Sequence, residues 1–233
     1  MVRSGTQHPW WLSVILHLLP KVALVAGSAL VTPLLLEAGY PWQFSAFIVL
    51  PALISAIQLA LLWYAAPLQS DGRRSLRSVI TFQASLDNSV YWLAVPLIAI
   101  YGLVLRWLLQ YDPWLSIISA NLTGTALSQL AASMMLAVFS FGLMFFGVLF
   151  PIVEELYYRG FLLPRLPAVG WAAPLVHILL YGFLPLQGPW ETIMRFAMVI
   201  PLVLVVWKQR SVYLGMVSRV IIHIGILMYL LTV

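Results

Sequence analysis

The stretch Phe44–Ala66, FSAFIVLPALISAIQLALLWYAA, decides the fold class: 23 residues pass without one charged side chain. A hydrocarbon core ~30 Å thick is crossed by about 20 helical residues. Inside it every backbone N–H and C=O must find a partner within the protein, so the segment is expected to be a helix. The flanking sequence repeats the pattern. Upstream, Trp10–Leu36 is apolar apart from His17 and Lys21, with Trp10 and Trp11 as interfacial anchors. Met1–Leu19 shows no small-residue cleavage site, so it reads as the start of a first span and not as a removed signal. Downstream come the polar loop Gln69–Asn88, a span over Ser89–Leu105 closed by Arg106, and a loop or interfacial helix over Tyr111–Ser128. A long helical stretch, Gln129–Leu163, stops at Pro164 and Pro167. The short segment Gly170–Phe183, then Glu191–Trp207 and Val212–Leu231, complete the chain. The expected fold is all-α: a polytopic transmembrane bundle of about seven spans, one integral membrane domain over residues 1–233, its N-terminal spans within 10–109.

Composition supports this. Charged residues are 8% of the chain, against about 25% in soluble domains. Hydrophobic residues are 63% and mean hydropathy is +0.99. The net charge of +5 is no nucleic-acid footprint, because its few Arg and Lys sit between apolar segments. The bilayer is the expected partner. Cysteine is absent, which removes disulfides, thiolate nucleophiles and Cys-ligated metals. Placing Arg73, Arg74 and Arg77 in the cytoplasm puts Arg165, Lys208 and Arg210 there too when spans are counted. The N-terminus is then cytoplasmic and the C-terminus outside.

Ionisable side chains within spans are costly and mark function. They are Lys21, Glu154, Glu155, Arg159, His177, Arg195, Arg219 and His223. Glu154 lies about 13 Å from the basic end of its helix, His177 about 10 Å and His223 about 16 Å from the same end, at the helical rise per residue. One carboxylate and two imidazoles thus share a depth; their lateral placement is open. Glu155 and Arg159 are i,i+4 and can pair, which turns Glu154 about 100° away and leaves it for other work. Such a carboxylate can act as general base to a water, with one imidazole holding that water and another stabilising an oxyanion. As single features, each histidine also reads as a hydrogen-bonded bundle residue; His17 is assigned that role. Glu191 and Arg195, also i,i+4, read as a structural pair, and Trp and Tyr near span ends as anchors.

The run Glu154-Glu155-x-x-x-Arg159-Gly160, with His177 in the next span and His223 in the last, resembles the CPBP family of CAAX-processing and bacteriocin-processing (Abi) intramembrane proteases. The resemblance spans a core of residues 142–233. It implies Glu154 as catalytic base, Arg159 as organiser of Glu155, and His177 and His223 as the family's two histidines. Two positions depart from the family pattern. Ala173 stands where a Phe is usual, and Leu227 where Asn or Asp follows the last His. Arg219, four residues before His223, shares its face and is the candidate to supply the missing polar group.

The resemblance implies a glutamate-dependent intramembrane endopeptidase that cleaves a membrane-associated peptide or a lipidated protein at the cytoplasmic side. The alternative, motivated by Leu227, is an inactive member of the fold serving as scaffold or accessory subunit beside other membrane subunits. No cofactor is expected. If a metal were bound, zinc on Glu154, His177 and His223 with an open fourth position would be the set, although no H-E-x-x-H spacing supports it. A pigment on a lone membrane histidine is a further reading, and acidic groups are too few for a transport pathway.

Overall fold

Proline inside a membrane helix leaves the carbonyl four residues back without its N–H partner, and a neighbour must supply one. That requirement organises this bundle. A computed structural model describes residues 7–67, 75–84, 90–108, 131–168, 170–183 and 189–232. Among them run seven helices: α1 (Trp10–Glu37), α2 (Trp42–Ala65), α3 (Val90–Leu108), α4 (Ala132–Arg165), α5 (Ala172–Gly182), α6 (Pro189–Gln209) and α7 (Val212–Thr232). The chain is thus an integral, multi-pass helical membrane protein. Arg73, Arg74 and the segment Tyr111–Ser128 lie outside the described residues, as do the side chains of Arg106 and Glu191.

In α1, Pro20 frees the carbonyl of Leu16, and the Tyr157 hydroxyl of α4 donates to it at 2.8 Å. In α6, Pro201 frees that of Ala197, and Tyr101 of α3 donates to it at 3.2 Å. In α4, Pro164 frees that of Gly160, which accepts the backbone N–H of Thr81 at 3.0 Å. Gly160 eases this approach, since a Cβ would lie 3.0 Å from the Ile80 side chain and force it to shift. Ahead of Pro151 the α4 helix widens into a π-helical stretch, Leu143–Leu149, and Phe150 N–H bonds five residues back to Phe145. The next bond in that register would run from residue 151 to Phe146, and proline has no proton for it. The Phe146 carbonyl therefore needs another donor.

One end of the bundle is tied together by backbone bonds. His8 N–H donates to Arg165, Ala84 to Arg210, and Val212 to Phe82. This groups the segment before α1, residues 75–84, the end of α4 and the α6–α7 junction. The described basic residues Arg77, Arg165, Lys208 and Arg210 belong to these same segments. The even-numbered crossings expected from the charge pattern do return to one end.

Five of the helices are long and apolar enough to cross a membrane. Helix α5 is not: its 11 residues span about 16 Å. Its last carbonyls have no helical partner. Lys21 of α1 takes them, donating to Leu180 at 2.8 Å, to Phe183 at 2.6 Å and to Tyr181. The core packs Tyr157, Tyr158, Phe161 and Leu162 of α4 against Leu62, Tyr181, Val203, Val206 and Leu214. Trp92, Leu93, Leu30, Leu34 and Leu136 face outward, as lipid contact requires.

Candidate active site

Helix α4 carries Glu154 and Glu155 on a short α-helical segment, Phe150–Glu155, between two π-helical stretches, Leu143–Leu149 and Leu156–Leu162. The two neighbours point about 100° apart and meet different partners. Glu155 is fully buried. Its Oε1 accepts Arg159 Nη1 at 2.7 Å, the i,i+4 pair that the spacing predicts, and lies 3.7 Å from Arg219 Nε. Its Oε2 rests on the α7 backbone at Gly215, where a Cβ would come within 2.2 Å of it. Gly215 is thus the only residue type that leaves room for this carboxylate.

Glu154 is not left unpaired. Its Oε2 accepts Arg219 Nη2, and its Oε1 accepts the Tyr181 hydroxyl proton at 3.1 Å. Arg219 Nη1 donates to the same Tyr181 oxygen, and its Nη2 lies 3.3 Å from His223 Nε2. One guanidinium therefore joins Glu154, Tyr181 and His223. Arg159 and Arg219 balance Glu154 and Glu155 charge for charge, which is how ionised groups persist in a low-dielectric interior.

His223 receives its orientation from Pro151. Its Nδ1 lies 3.0 Å from the Phe146 carbonyl that proline leaves without a helical donor. A carbonyl only accepts, so the proton sits on Nδ1 and Nε2 is an acceptor facing Arg219. Rings of Phe146 and Phe150 pack against the imidazole.

Glu154, Tyr181, Arg219 and His223 line one cavity of about 420 Å³, with Lys21, Arg195, Gln58 and Tyr158 as its other polar walls. Apolar residues including Leu24, Phe47, Ile54, Met198 and Ile226 complete it.

His177 does not line this cavity. Its ring stacks on Tyr181, 5.9 Å between centroids and 9° from parallel, and its Nδ1 meets His17 Nε2 at 3.0 Å. Tyr181, one turn further along α5, thus has its ring on His177 and its hydroxyl on Glu154. Its other surroundings fix it too, with Arg159 4.1 Å from the ring centroid and Lys21 on its carbonyl. Among the described residues no three His, Asp or Glu side chains form a metal-holding group, and the set Glu154, His177, His223 is divided in this way. Arg195 lines the cavity. Leu227 is buried with Phe47 and Val138 in an apolar cluster.

Reasoning from sequence did not find Tyr181, Gly215 or the orienting role of Pro151, and it gave His17 only a bundle role. A tyrosine near a span end reads as an interfacial anchor. The available signal was its spacing, since Tyr181 follows His177 by four residues and shares its face.

Neither a curated protein nor a solved structure matches the chain. Residues 136–225 match the family model described as Rce1-like, type II CAAX prenyl endopeptidase Rce1-like. The match begins six residues before the core expected from the motif and ends eight before Val233. It contains Glu154, Glu155, Arg159, His177, Tyr181, Arg219 and His223. Over residues 136–225 the chain is therefore similar to the Rce1-like family, which belongs to the CPBP family of CAAX-type intramembrane proteases.

Proposed function

We propose that the protein is an intramembrane endopeptidase that uses Glu154 to activate water against a peptide bond of a membrane-associated peptide or lipidated protein. The single observation that carries this reading is the convergence of Glu154, Arg219 and His223 on one largely apolar cavity. An apolar wall suits a substrate segment that arrives from lipid. The substrate enters from the basic end, taken as cytoplasmic from its Arg and Lys.

In the reaction, water replaces the Tyr181 hydroxyl at Glu154 Oε1. Glu154 takes one proton from it as the oxygen attacks the carbonyl carbon. The developing oxyanion is met by Arg219, whose guanidinium supplies the charge that Leu227 cannot, while His223 Nε2 accepts from that guanidinium and holds it in place. The C–N bond then breaks, and the proton held by Glu154 passes to the leaving nitrogen. The second water proton leaves the new carboxyl group for the released amine, so the products are a carboxylate and an ammonium. Tyr181 separates His177 from the cavity, and displacing its side chain from Glu154 opens the way for His177 Nε2 to accept a hydrogen bond from the attacking water. Glu155 and Arg159 hold the α4 helix against α7, and no metal is called on in these steps.

A second reading has its own observations: both Glu154 oxygens are already partnered, and Leu227 is apolar. It makes the protein a non-catalytic member of the fold within a membrane complex. Purified protein in liposomes with a membrane-anchored reporter peptide, run in ¹⁸O-water, separates the two. The proposal expects a cut peptide with one ¹⁸O atom in the new carboxylate. An intact reporter across a panel of lipidated and transmembrane peptides would favour the scaffold.

A further inference from the structure

Helix α1 lies outside the matched segment, yet two of its side chains reach the α5 residues beside the cavity. Lys21 caps α5. His17 contacts His177, and the protons in that contact can be assigned.

His17 Nδ1 lies 2.7 Å from the carbonyl of Ser13. A carbonyl has no proton to give, so Nδ1 of His17 carries one. Both rings are fully buried and neither hydrogen-bonds a carboxylate, and burial favours the uncharged imidazole, so His17 is neutral. A neutral ring with its proton on Nδ1 has a bare Nε2. Across the 3.0 Å contact the donor must then be Nδ1 of His177. A neutral His177 with its proton on Nδ1 leaves its own Nε2 bare. That nitrogen is buried and has no hydrogen-bond partner among the described residues. Buried acceptors are normally satisfied, so Nε2 is placed to receive an O–H or N–H donor.

We infer that His17 is a positioning residue: it fixes His177 in the Nδ1–H tautomer, so that Nε2 offers a buried lone pair to the attacking water. The chain Ser13 carbonyl, His17, His177 sets which ring nitrogen can receive a proton. Neutral histidine otherwise favours the opposite tautomer, so the arrangement depends on His17. The tautomer assignment stands on the contacts alone; its use in catalysis rests on the peptidase reading.

The test is ¹⁵N spectroscopy of the imidazoles in the full chain, held in lipid nanodiscs, where only four histidines give signals. The expected wild-type result is a protonated Nδ1 and an unprotonated Nε2 at His177. His17→Leu should move the proton of His177 toward Nε2, and His17→Gln, whose amide oxygen still accepts, should keep it on Nδ1. A wild-type His177 with its proton on Nε2, or a tautomer indifferent to His17→Leu, overturns the inference. In the cleavage assay His17→Leu should lower kcat by about 10- to 100-fold with KM little changed, the range for partners that orient an active group, and His17→Gln should restore most of it. The expected spectra with no cleavage by any form would support the tautomer assignment and count against the peptidase reading.

Discussion

Two polar clusters lie on either side of Tyr181, and they are built on opposite principles. The cluster at its hydroxyl is ionic and faces a cavity: Glu154, Arg219 and His223, carried by α4 and α7. The cluster at its ring is neutral and sealed: His17 and His177, carried by α1 and α5. The first holds charges that neutralise one another. The second holds a relay of single protons whose direction is fixed by one carbonyl. Residues that share a depth in the membrane can therefore belong to separate chemical environments, and one tyrosine side chain is enough to divide them.

The comparison can be broken most severely through Glu155. Glu155→Ala strips Arg159 of its buried partner, and we expect a loss of about 3–5 kcal/mol of stability, read by unfolding in detergent micelles. Gly215→Ala should act in the same direction, because its Cβ occupies the Glu155 carboxylate's position. Unchanged unfolding for both would mean that the buried quartet does not hold α4 to α7.

Arg219→Gln attacks the ionic cluster and also removes the 3.7 Å contact to Glu155. Removing an oxyanion donor should slow cleavage by about 10²–10³-fold. Arg219→Lys should recover only part of this, since an ammonium lacks the planar fork that bridges Glu154, Tyr181 and His223. Leu227→Asn asks where the oxyanion is held. It buries an amide among Phe47 and Val138, at a cost of about 1–3 kcal/mol. It should not raise the cleavage rate; a gain would place the oxyanion seat at residue 227 and not at Arg219. Tyr181→Phe removes the hydroxyl between the clusters and should have the smallest effect, about 0.5–1.5 kcal/mol in stability. Because that hydroxyl occupies the water's place on Glu154, the rate should hold or rise.

Much of this architecture was legible beforehand, because helices convert sequence position to depth at a fixed rise. The span read over Phe44–Ala66, found at Trp42–Ala65, the end of α4 at Arg165 just past Pro164, and the Glu155–Arg159 pair all follow from the pattern along one helix. The resemblance to the CPBP family was legible too, from the Glu154 run with His177 and His223 in later spans. Rotation of one helix against another does not follow from spacing. His177 shares a depth with Glu154, yet its ring turns to His17, and nothing in the pattern around α1 says that α1 packs there. The orphaned carbonyl at Phe146 depended on a π-helical register that Pro151 alone does not announce. The half-length of α5 was visible in the sequence; the Lys21 cap that completes it was not, because it joins residues about 160 positions apart.

The central claim is that Glu154 is the base of a peptidase, and its most direct measurement is the rate of reporter cleavage by Glu154→Gln protein beside wild type in the same bilayer. The account predicts a fall of about 10²–10⁴-fold with the fold retained. Equal rates for the two proteins would contradict it.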